Sequence, residues 1–431
     1  MDKTIKKVKR IEGSLRVPSD KSISHRSIIL SSLAEGESVI KNFLKAGDTI
    51  TTLNTYRKLG VEIQEKDSVI YVKGKGLEGL NEPQDVLDMG NSGTTTRLTL
   101  GVLSGQDFFA ALTGDDSLRK RPMKRVTKPL TEMGAKIDGR KESNNLPIAI
   151  RGGKLEGITY FNEKMSAQVK SAILLAGLYA KGTTQVTEPI ISRDHTEKML
   201  KWMEANIQTE FTTQGYTVKI SQTDRLKPIH IDVPADPSSA AFFAAAAAIV
   251  PKSEIVLKDV LVNPTRDGFF RKLKEMGAEI SYINKRDEAG EIVADVVVKY
   301  NDLQGVKVEK EEVPSMIDEL PLLAIVATQA EGETIITGAH ELRVKESDRI
   351  KAVVENFKRL GLEIQELEDG MIVKGKQKVK GGTVDSYKDH RIAMGFAVLG
   401  LVSEEGITIK DADCVYISYP DFFKHLEKVS K

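Results

Sequence analysis

The chain has 431 residues, 63 basic and 62 acidic, giving a formal net charge of +1. Apolar residues make up 40% and charged residues 29%, a soluble globular profile, and the length suits two or three domains of about 150 residues each. The charge balance argues against a dedicated nucleic-acid binder, and the single cysteine, Cys414, excludes an intrachain disulfide framework and a Cys-rich zinc site.

From the start of the chain, Met1–Gly13 is basic and lacks the apolar centre of a secretory signal. The longest strongly apolar run, Ala240–Val250, is too short for a membrane span, which needs roughly 18 residues. It reads as a buried helix. A pattern then recurs along the sequence: a small-residue-rich helix ends at a Gly or Pro turn and a strand follows. Ser31–Gly36 leads into Ser38–Ile40, Leu100–Gly105 into Asp107–Phe109, and Leu178–Gly182 into Thr184–Val186. Ala247–Pro251 leads into Glu254–Leu257, Thr328–Gly332 into Thr334–Ile336, and Leu401–Gly406 into Thr408–Ile409. The six copies are spaced by roughly 70–80 residues. Interleaved helices end in Met-Gly or Leu-Gly before a strand, at Tyr56–Ile63, Leu130–Ile137, Leu273–Ile280 and Phe357–Ile364. Glycine there suits a left-handed helix end. Each repeat therefore predicts an α/β module with two helices and several short strands.

Every module opens its apolar helix on polar residues: Asp20-Lys21-Ser22, Gly90-Asn91-Ser92-Gly93, Met165-Ser166-Ala167-Gln168, Asp236-Pro237-Ser238-Ser239, Ile317-Asp318-Glu319-Leu320 and Lys388-Asp389-His390-Arg391. Taken singly, each is an ordinary N-cap. Six in register could bring helix N-termini together, supplying free N–H groups and partial positive charge for anions. Basic residues accompany four of these or neighbouring segments. Lys21 and Arg26 lie about one and a half helical turns apart. Gly93 in Asn91–Arg97 would let an anion approach the backbone. Lys345 and Arg349, four apart, are placed on one helix face. Asp389-His390-Arg391 opens the last repeat. On its own each segment reads as a solvated charge pair or a loop-to-helix start. There is no nucleophile elbow and no P-loop, and Cys414 reads as a buried, inert thiol.

The ordered set Asp20–Arg26, Gly90–Thr94 with Arg97, Arg121-Pro122-Met123, Val344–Arg349 and Asp389–Met394 resembles the 5-enolpyruvylshikimate-3-phosphate synthase family over essentially the whole chain. Ser166–Lys170, Arg193–Glu197 and Asn263–Arg266 are similar to the second, typically glyphosate-tolerant class of that family. Two positions depart from the family's usual pattern. Ser19 stands where that class usually has Gly, and Ile417 stands near where first-class members carry a Lys that contacts phosphoenolpyruvate.

The resemblance implies a two-domain inside-out α/β barrel of six βαβαββ repeats, three per domain. One domain would comprise 1–18 plus 238–431 and the other 19–237, with the active site in the interdomain cleft. It implies transfer of the enolpyruvyl group of phosphoenolpyruvate to the 5-hydroxyl of shikimate 3-phosphate by addition and elimination, releasing phosphate. Lys21, Ser22, Arg26, Ser166, Ala167, Gln168, Arg193, Asp318 and Lys345 would hold shikimate 3-phosphate. Lys21, Gly93, Arg121, Gln168, Arg349 and Arg391 would hold phosphoenolpyruvate. Asp318 would take the hydroxyl proton and Glu346 deliver one to C3, with Lys21 assisting.

No metal or organic cofactor is expected, since positioned charge suffices for this chemistry. A cytoplasmic monomer that binds glyphosate weakly, with no nucleic-acid or membrane partner, is the accompanying expectation. The sister transferase acting on UDP-N-acetylglucosamine usually carries a loop cysteine, and the stretch Gly114–Arg121 has none. A non-catalytic anion binder would need the basic residues but not Asp318 or Glu346. A purely structural repeat protein would leave the six polar helix starts unexplained.

Overall fold

The computed structural model describes all residues, Met1–Lys431. The chain divides into two compact units. One comprises Met1–Pro18, Pro234–Arg286 and Ile292–Lys431; the other comprises Ser19–Val233 and Asp287–Glu291. No helix is long and apolar enough to cross a membrane.

Six small mixed sheets carry the repeat, three in each unit. Their common plan is legible in the Leu87–Asp88 sheet. That short strand runs parallel to Phe109–Thr113, which pairs antiparallel with Asn145–Arg151, itself antiparallel to Lys136–Gly139. The sheets at Thr159–Phe161 and Leu303–Gln304 follow the same order. Each unit closes by borrowing a strand from a distant part of the chain. His230–Asp232 pairs parallel with Glu35–Lys41, and Glu12–Leu15 pairs parallel with Glu254–Leu261. The sixth sheet has only three strands, because the N-terminal strand Lys3–Ile5 fills the antiparallel position beside Ile407–Lys410.

Just before one strand of each parallel pair runs a helix with almost no exposed face. These helices are Lys21–Leu33, Gly93–Ser104, Ala167–Gly177, Pro237–Ile249, Leu320–Ala327 and His390–Gly400. In Pro237–Ile249 every residue except Ser239 is buried. A helix apolar on all sides can only be stable in a core. Within each unit the buried helices pack on one another, as Gly93–Ser104 does on Ala167–Gly177, and His390–Gly400 on Leu320–Ala327. The second helices, such as Gly268–Glu275 and Arg349–Arg359, bury one face only. Their Gly ends are left-handed as the sequence predicts, with Gly60 at φ +87° and Gly277 at φ +112°.

Four of the six polar helix starts cap through their side chains. Asp20, Ser92, Asp236 and Asp389 accept from the amides of Ile23, Thr95, Ser238 and Arg391. Ser166 occupies the cap position without a side-chain bond. Asp318 lies one residue before the cap position, in the 3-10 turn Ile317–Glu319, and the α-helix begins at Leu320. The placement of Lys345 and Arg349 on one helix face is corrected. Asp348 caps a helix that starts at Arg349, whereas Lys345 is extended at the end of the 3-10 turn His340–Val344.

Candidate active site

In the Ser19–Val233 unit, cationic side chains gather at the starts of three buried helices. Lys21, the first residue of its helix, is half exposed and places Nζ 3.1 Å from Asp48 Oδ2. Arg26, one and a half turns on, is buried. Its Nε donates to Thr196 Oγ1 at 2.7 Å, one terminal nitrogen to Ser171 Oγ at 2.9 Å, and the other to the Ser22 carbonyl at 3.1 Å. All three acceptors are neutral. Burial pulls the Arg26 guanidinium down to about 10; the nearby charges of Glu197 and Asp20 oppose this, and that of Arg193 adds to it. Buried charge without a directly bonded counter-charge is costly, so this pocket is biased toward an incoming anion.

A second knot of guanidinium groups surrounds Gly93. Arg97 is buried and donates to Gln168 Oε1 at 2.6 Å and to the Pro122 carbonyl at 3.1 Å. Burial lowers it to about 9, with Arg125 and Arg121 adding repulsion. Arg121 donates to Asn91 Oδ1 at 3.0 Å. A Cβ on Gly93 would sit 2.8 Å from an Arg97 nitrogen and 3.5 Å from one of Arg121, so a side chain there would crowd the guanidinium nitrogens. Gln168 also donates to Thr94 Oγ1 at 2.9 Å, tying the helix of Ser166–Gln168 to that of Gly93. Ala167 is the first residue of its helix, so its amide belongs to the set without an intrahelical partner.

His25 is fully buried, with Nδ1 2.6 Å from Thr52 Oγ1. Hydroxyl contacts continue to Thr95 at 2.7 Å and from Thr95 to Ser92 at 2.6 Å. Burial, with Lys21 and Arg26 nearby, lowers His25 to about 3 against an opposing pull from Asp48. The imidazole is neutral at physiological pH.

In the other unit the cations are matched by carboxylates. Arg349, 1% exposed, donates through Nε to Asp389 Oδ2 at 2.8 Å, and through its two terminal nitrogens to Asp318 Oδ1 at 3.2 Å and Glu346 Oε2 at 2.6 Å. Lys345 Nζ lies 3.3 Å from the same Asp318 oxygen, although it comes from a different element. Arg391 donates to Glu319 Oε1 at 2.9 Å, with another nitrogen 4.0 Å from Asp318 Oδ2. Burial pushes the Glu346 and Asp389 carboxyls up, but the charge of Arg349 prevails and holds both below their ordinary values. Asp318 and Glu319, with smaller help from Asp236 and Glu346, push Arg391 up against its burial. His390 falls to about 4 through burial and the charge of Arg391.

The structure thus brings Lys21, Ser22, Arg26, Gly93, Arg121, Ser166, Ala167, Gln168 and Arg193 into one unit and Asp318, Lys345, Glu346, Arg349 and Arg391 into the other. Residues that the sequence did not assign join them. Arg97 is four residues from Gly93 and so on its helix face, a readable signal. Glu319 and Asp389 flank assigned residues. Thr196 and Ser171, which orient Arg26, gave no local signal.

Asp194, His195 and Glu291 place metal-ligand atoms within 4.8 Å of one another. His195 Nδ1 is 2.6 Å from Glu291 Oε1, and Lys198 Nζ is 3.4 Å from both Asp194 and Glu291. An ammonium group already counters those carboxylates. Cys414 is buried and its thiol is pushed up by burial.

The fold is that of the enolpyruvyl transferases: an enolpyruvyl transferase of Streptomyces tendae matches with a TM-score of 0.75 over 99% of this chain and 96% of that one, at 15% identity, which speaks for the fold alone. An EPSP synthase structure from Acinetobacter baumannii matches with a TM-score of 0.92 at 43% identity, covering 100% of this chain and 98% of that one. The profile of EPSP synthase (3-phosphoshikimate 1-carboxyvinyltransferase) matches residues 5–426. The 3-phosphoshikimate 1-carboxyvinyltransferase of Sulfurihydrogenibium sp. (strain YO3AOP1) is 79% identical over 431 residues, 100% of both chains, and that of Aquifex aeolicus (strain VF5) is 54% identical over 428 residues, 99% of both. The chain belongs to the EPSP synthase family.

Proposed function

We propose that the two sets of residues serve one reaction, the transfer of the enolpyruvyl group of phosphoenolpyruvate to the 5-hydroxyl of shikimate 3-phosphate. This is the step of aromatic amino-acid biosynthesis that defines the family. Arg26 carries the reading: a buried guanidinium held only by neutral acceptors suits a phosphate dianion, for which charge-assisted bonds are worth about 1.5–3 kcal/mol each.

Shikimate 3-phosphate is assigned to Ser22, Arg26, Ser166, the Ala167 amide, Gln168 and Arg193, with Asp318 and Lys345 at its ring hydroxyls. Phosphoenolpyruvate is assigned to Lys21, Gly93, Arg121, Gln168, Arg349 and Arg391, and Arg97 joins this group. Asp318 takes the proton of the attacking hydroxyl as it adds to C2, and Glu346 gives a proton to C3. Loss of phosphate by C–O cleavage, with return of a C3 proton, completes the transfer. Glu346 starts as a carboxylate paired with Arg349. An anionic substrate that engages Arg349 weakens that pairing and moves the carboxyl toward the protonated form the addition needs. Lys21 assists proton movement, and its amine is accessible.

The finer readings are part of the same proposal. They are three repeats per domain in an inside-out barrel, with domains 1–18 plus 238–431 and 19–237; second-class character with weak glyphosate binding; a monomer; and a cytoplasmic location. The segments Ser166–Lys170 and Arg193–Glu197, and Ile417 in place of a lysine, support the class assignment. A glyphosate inhibition constant as low as that of a sensitive enzyme would overturn it. The direct test of the reaction is phosphate release that requires both substrates, with the enolpyruvyl product identified. No release from folded protein would remove the proposal.

A further inference from the structure

Behind the helix start Ser166–Gln168 lies a buried ionic node that no step of the reaction uses. Lys170 is fully buried. Its ammonium donates to Glu188 Oε2 at 2.8 Å and to the Ser192 carbonyl at 3.3 Å, and forms an ion pair with Glu197 Oε1 at 2.8 Å. Both carboxylates are buried. Glu188 in turn receives the Ser192 amide at 3.0 Å, the Ser192 hydroxyl at 2.7 and 2.9 Å, and Asn162 Nδ2 at 2.7 Å. Asn162 Nδ2 also reaches the Ser166 carbonyl at 3.0 Å. The node therefore fixes three things at once: the Ser166 turn, the Ser192-Arg193 segment, and the helix of Glu197.

Two features tie this node to function rather than to stability alone. Met165, just before the helix start, is held left-handed at φ +49°, a strained state for a residue with a side chain that persists only when its surroundings enforce it. Next, Ser171 and Thr196 adjoin Lys170 and Glu197 in sequence. Their hydroxyls meet at 2.7 Å and both accept from Arg26. The Lys170–Glu197 pair thus runs beside the pair that aims Arg26. Buried ion pairs are weak sources of stability, since apolar replacements are often neutral or better; what they supply here is a fixed geometry.

We infer that Lys170, Glu188 and Glu197 are positioning residues that hold Ser166, Arg193 and Arg26 in register for the phosphate and ring of shikimate 3-phosphate, and do not act on phosphoenolpyruvate. The inference rests on the assignment of shikimate 3-phosphate to those three residues.

The test is steady-state kinetics of the full chain carrying Lys170→Met with Glu197→Gln, a pair that removes one charge of each sign. The expected result is a rise of roughly 10- to 100-fold in KM for shikimate 3-phosphate, the cost of small misplacements of binding groups. KM for phosphoenolpyruvate and kcat at saturation stay within about twofold to threefold. An unchanged KM for shikimate 3-phosphate, or both KM values rising together, overturns the inference. If the pair prevents folding, Ser192→Ala decides by the same split, because it removes the forked hydroxyl bond to Glu188 and leaves every charge in place. Arg193→Ala is run in parallel. If it too leaves KM for shikimate 3-phosphate unchanged, the substrate assignment itself fails. If it raises that KM while the node variants do not, only the positioning role falls.

Discussion

The two units treat positive charge in opposite ways. In the Ser19–Val233 unit, Arg26 and Arg97 are buried against hydroxyls, a side-chain amide and main-chain carbonyls, and both guanidinium groups are pulled down. In the other unit Arg349 and Arg391 are enclosed by Asp318, Glu319, Glu346 and Asp389. The first unit has made room for an anion beforehand, at a cost to its own stability. In the second, an anion must compete with carboxylates already in place. That competition lets anion binding change the protonation of the paired carboxyls, because whatever engages Arg349 releases Glu346, while Asp318 keeps Lys345. The Ser19–Val233 unit is built on stored electrostatic cost, and the other unit on exchangeable pairs.

Removing the proposed base should have the largest consequence. Asp318→Asn keeps the shape but not the basicity, and a fall in kcat of roughly 10²- to 10⁴-fold is expected. Glu346→Gln should fall less steeply, since Lys21 remains. Near-normal turnover in both would remove these residues from the chemistry. A stability comparison then tests the contrast itself. Arg349→Met removes the ion-pair partner of Glu346 and Asp389 and one partner of Asp318, and should cost about 3–5 kcal/mol in denaturant unfolding. Arg97→Met removes a buried cation repelled by Arg121 and Arg125. It should leave stability unchanged or raise it by about 1 kcal/mol, while weakening phosphoenolpyruvate binding. Equal losses in the two variants would break the contrast.

Much of this was readable from the sequence where the signal is local. The apolar helices, their Gly ends and the four side-chain caps follow from residues within a few positions of each other. The two starts that do not cap, Ser166 and Asp318, share with true caps only their residue type. Only the structure shows Asp318 turned toward Arg349 and Lys345. Lys345 and Arg349 suggested one helix face by spacing, but Asp348 prefers to cap, and the pair meets across a turn instead. Long-range partners were out of reach: the His195–Glu291 bond spans 96 positions and Arg26–Thr196 spans 170. Neither leaves a mark in any local window. Arg97 was visible as part of a motif, but its burial among other guanidinium groups was not.

The histidines offer a smaller and slower probe of the same contrast. His25 sits under Lys21 and Arg26, with Asp48 as the opposing charge, and is lowered to about 3. His390 is lowered to about 4 among Arg391, Arg349, Asp389 and Glu346. A histidine whose folded value lies below its unfolded value of about 6.5 binds fewer protons when folded across that interval. Stability therefore falls as pH drops through the window, by about 1.4 kcal/mol per unit for each such group. For His25 the window runs from about 6.5 down to about 3. His25→Gln cannot titrate, so between pH 6.5 and 4.5 it should lose less stability than the unaltered protein, by about 2–3 kcal/mol. The depressed carboxylates Glu346 and Asp389 also lose stability as pH falls, but they do so in both proteins and cancel in the difference. Below pH of about 4, His390 protonates in the folded state while His25 does not, so the benefit of His25→Gln should keep growing where that of His390→Gln has levelled off. Parallel curves for the two variants down to pH of about 3 would mean that the cation-rich half does not hold its histidine neutral more firmly than the carboxylate-rich half does.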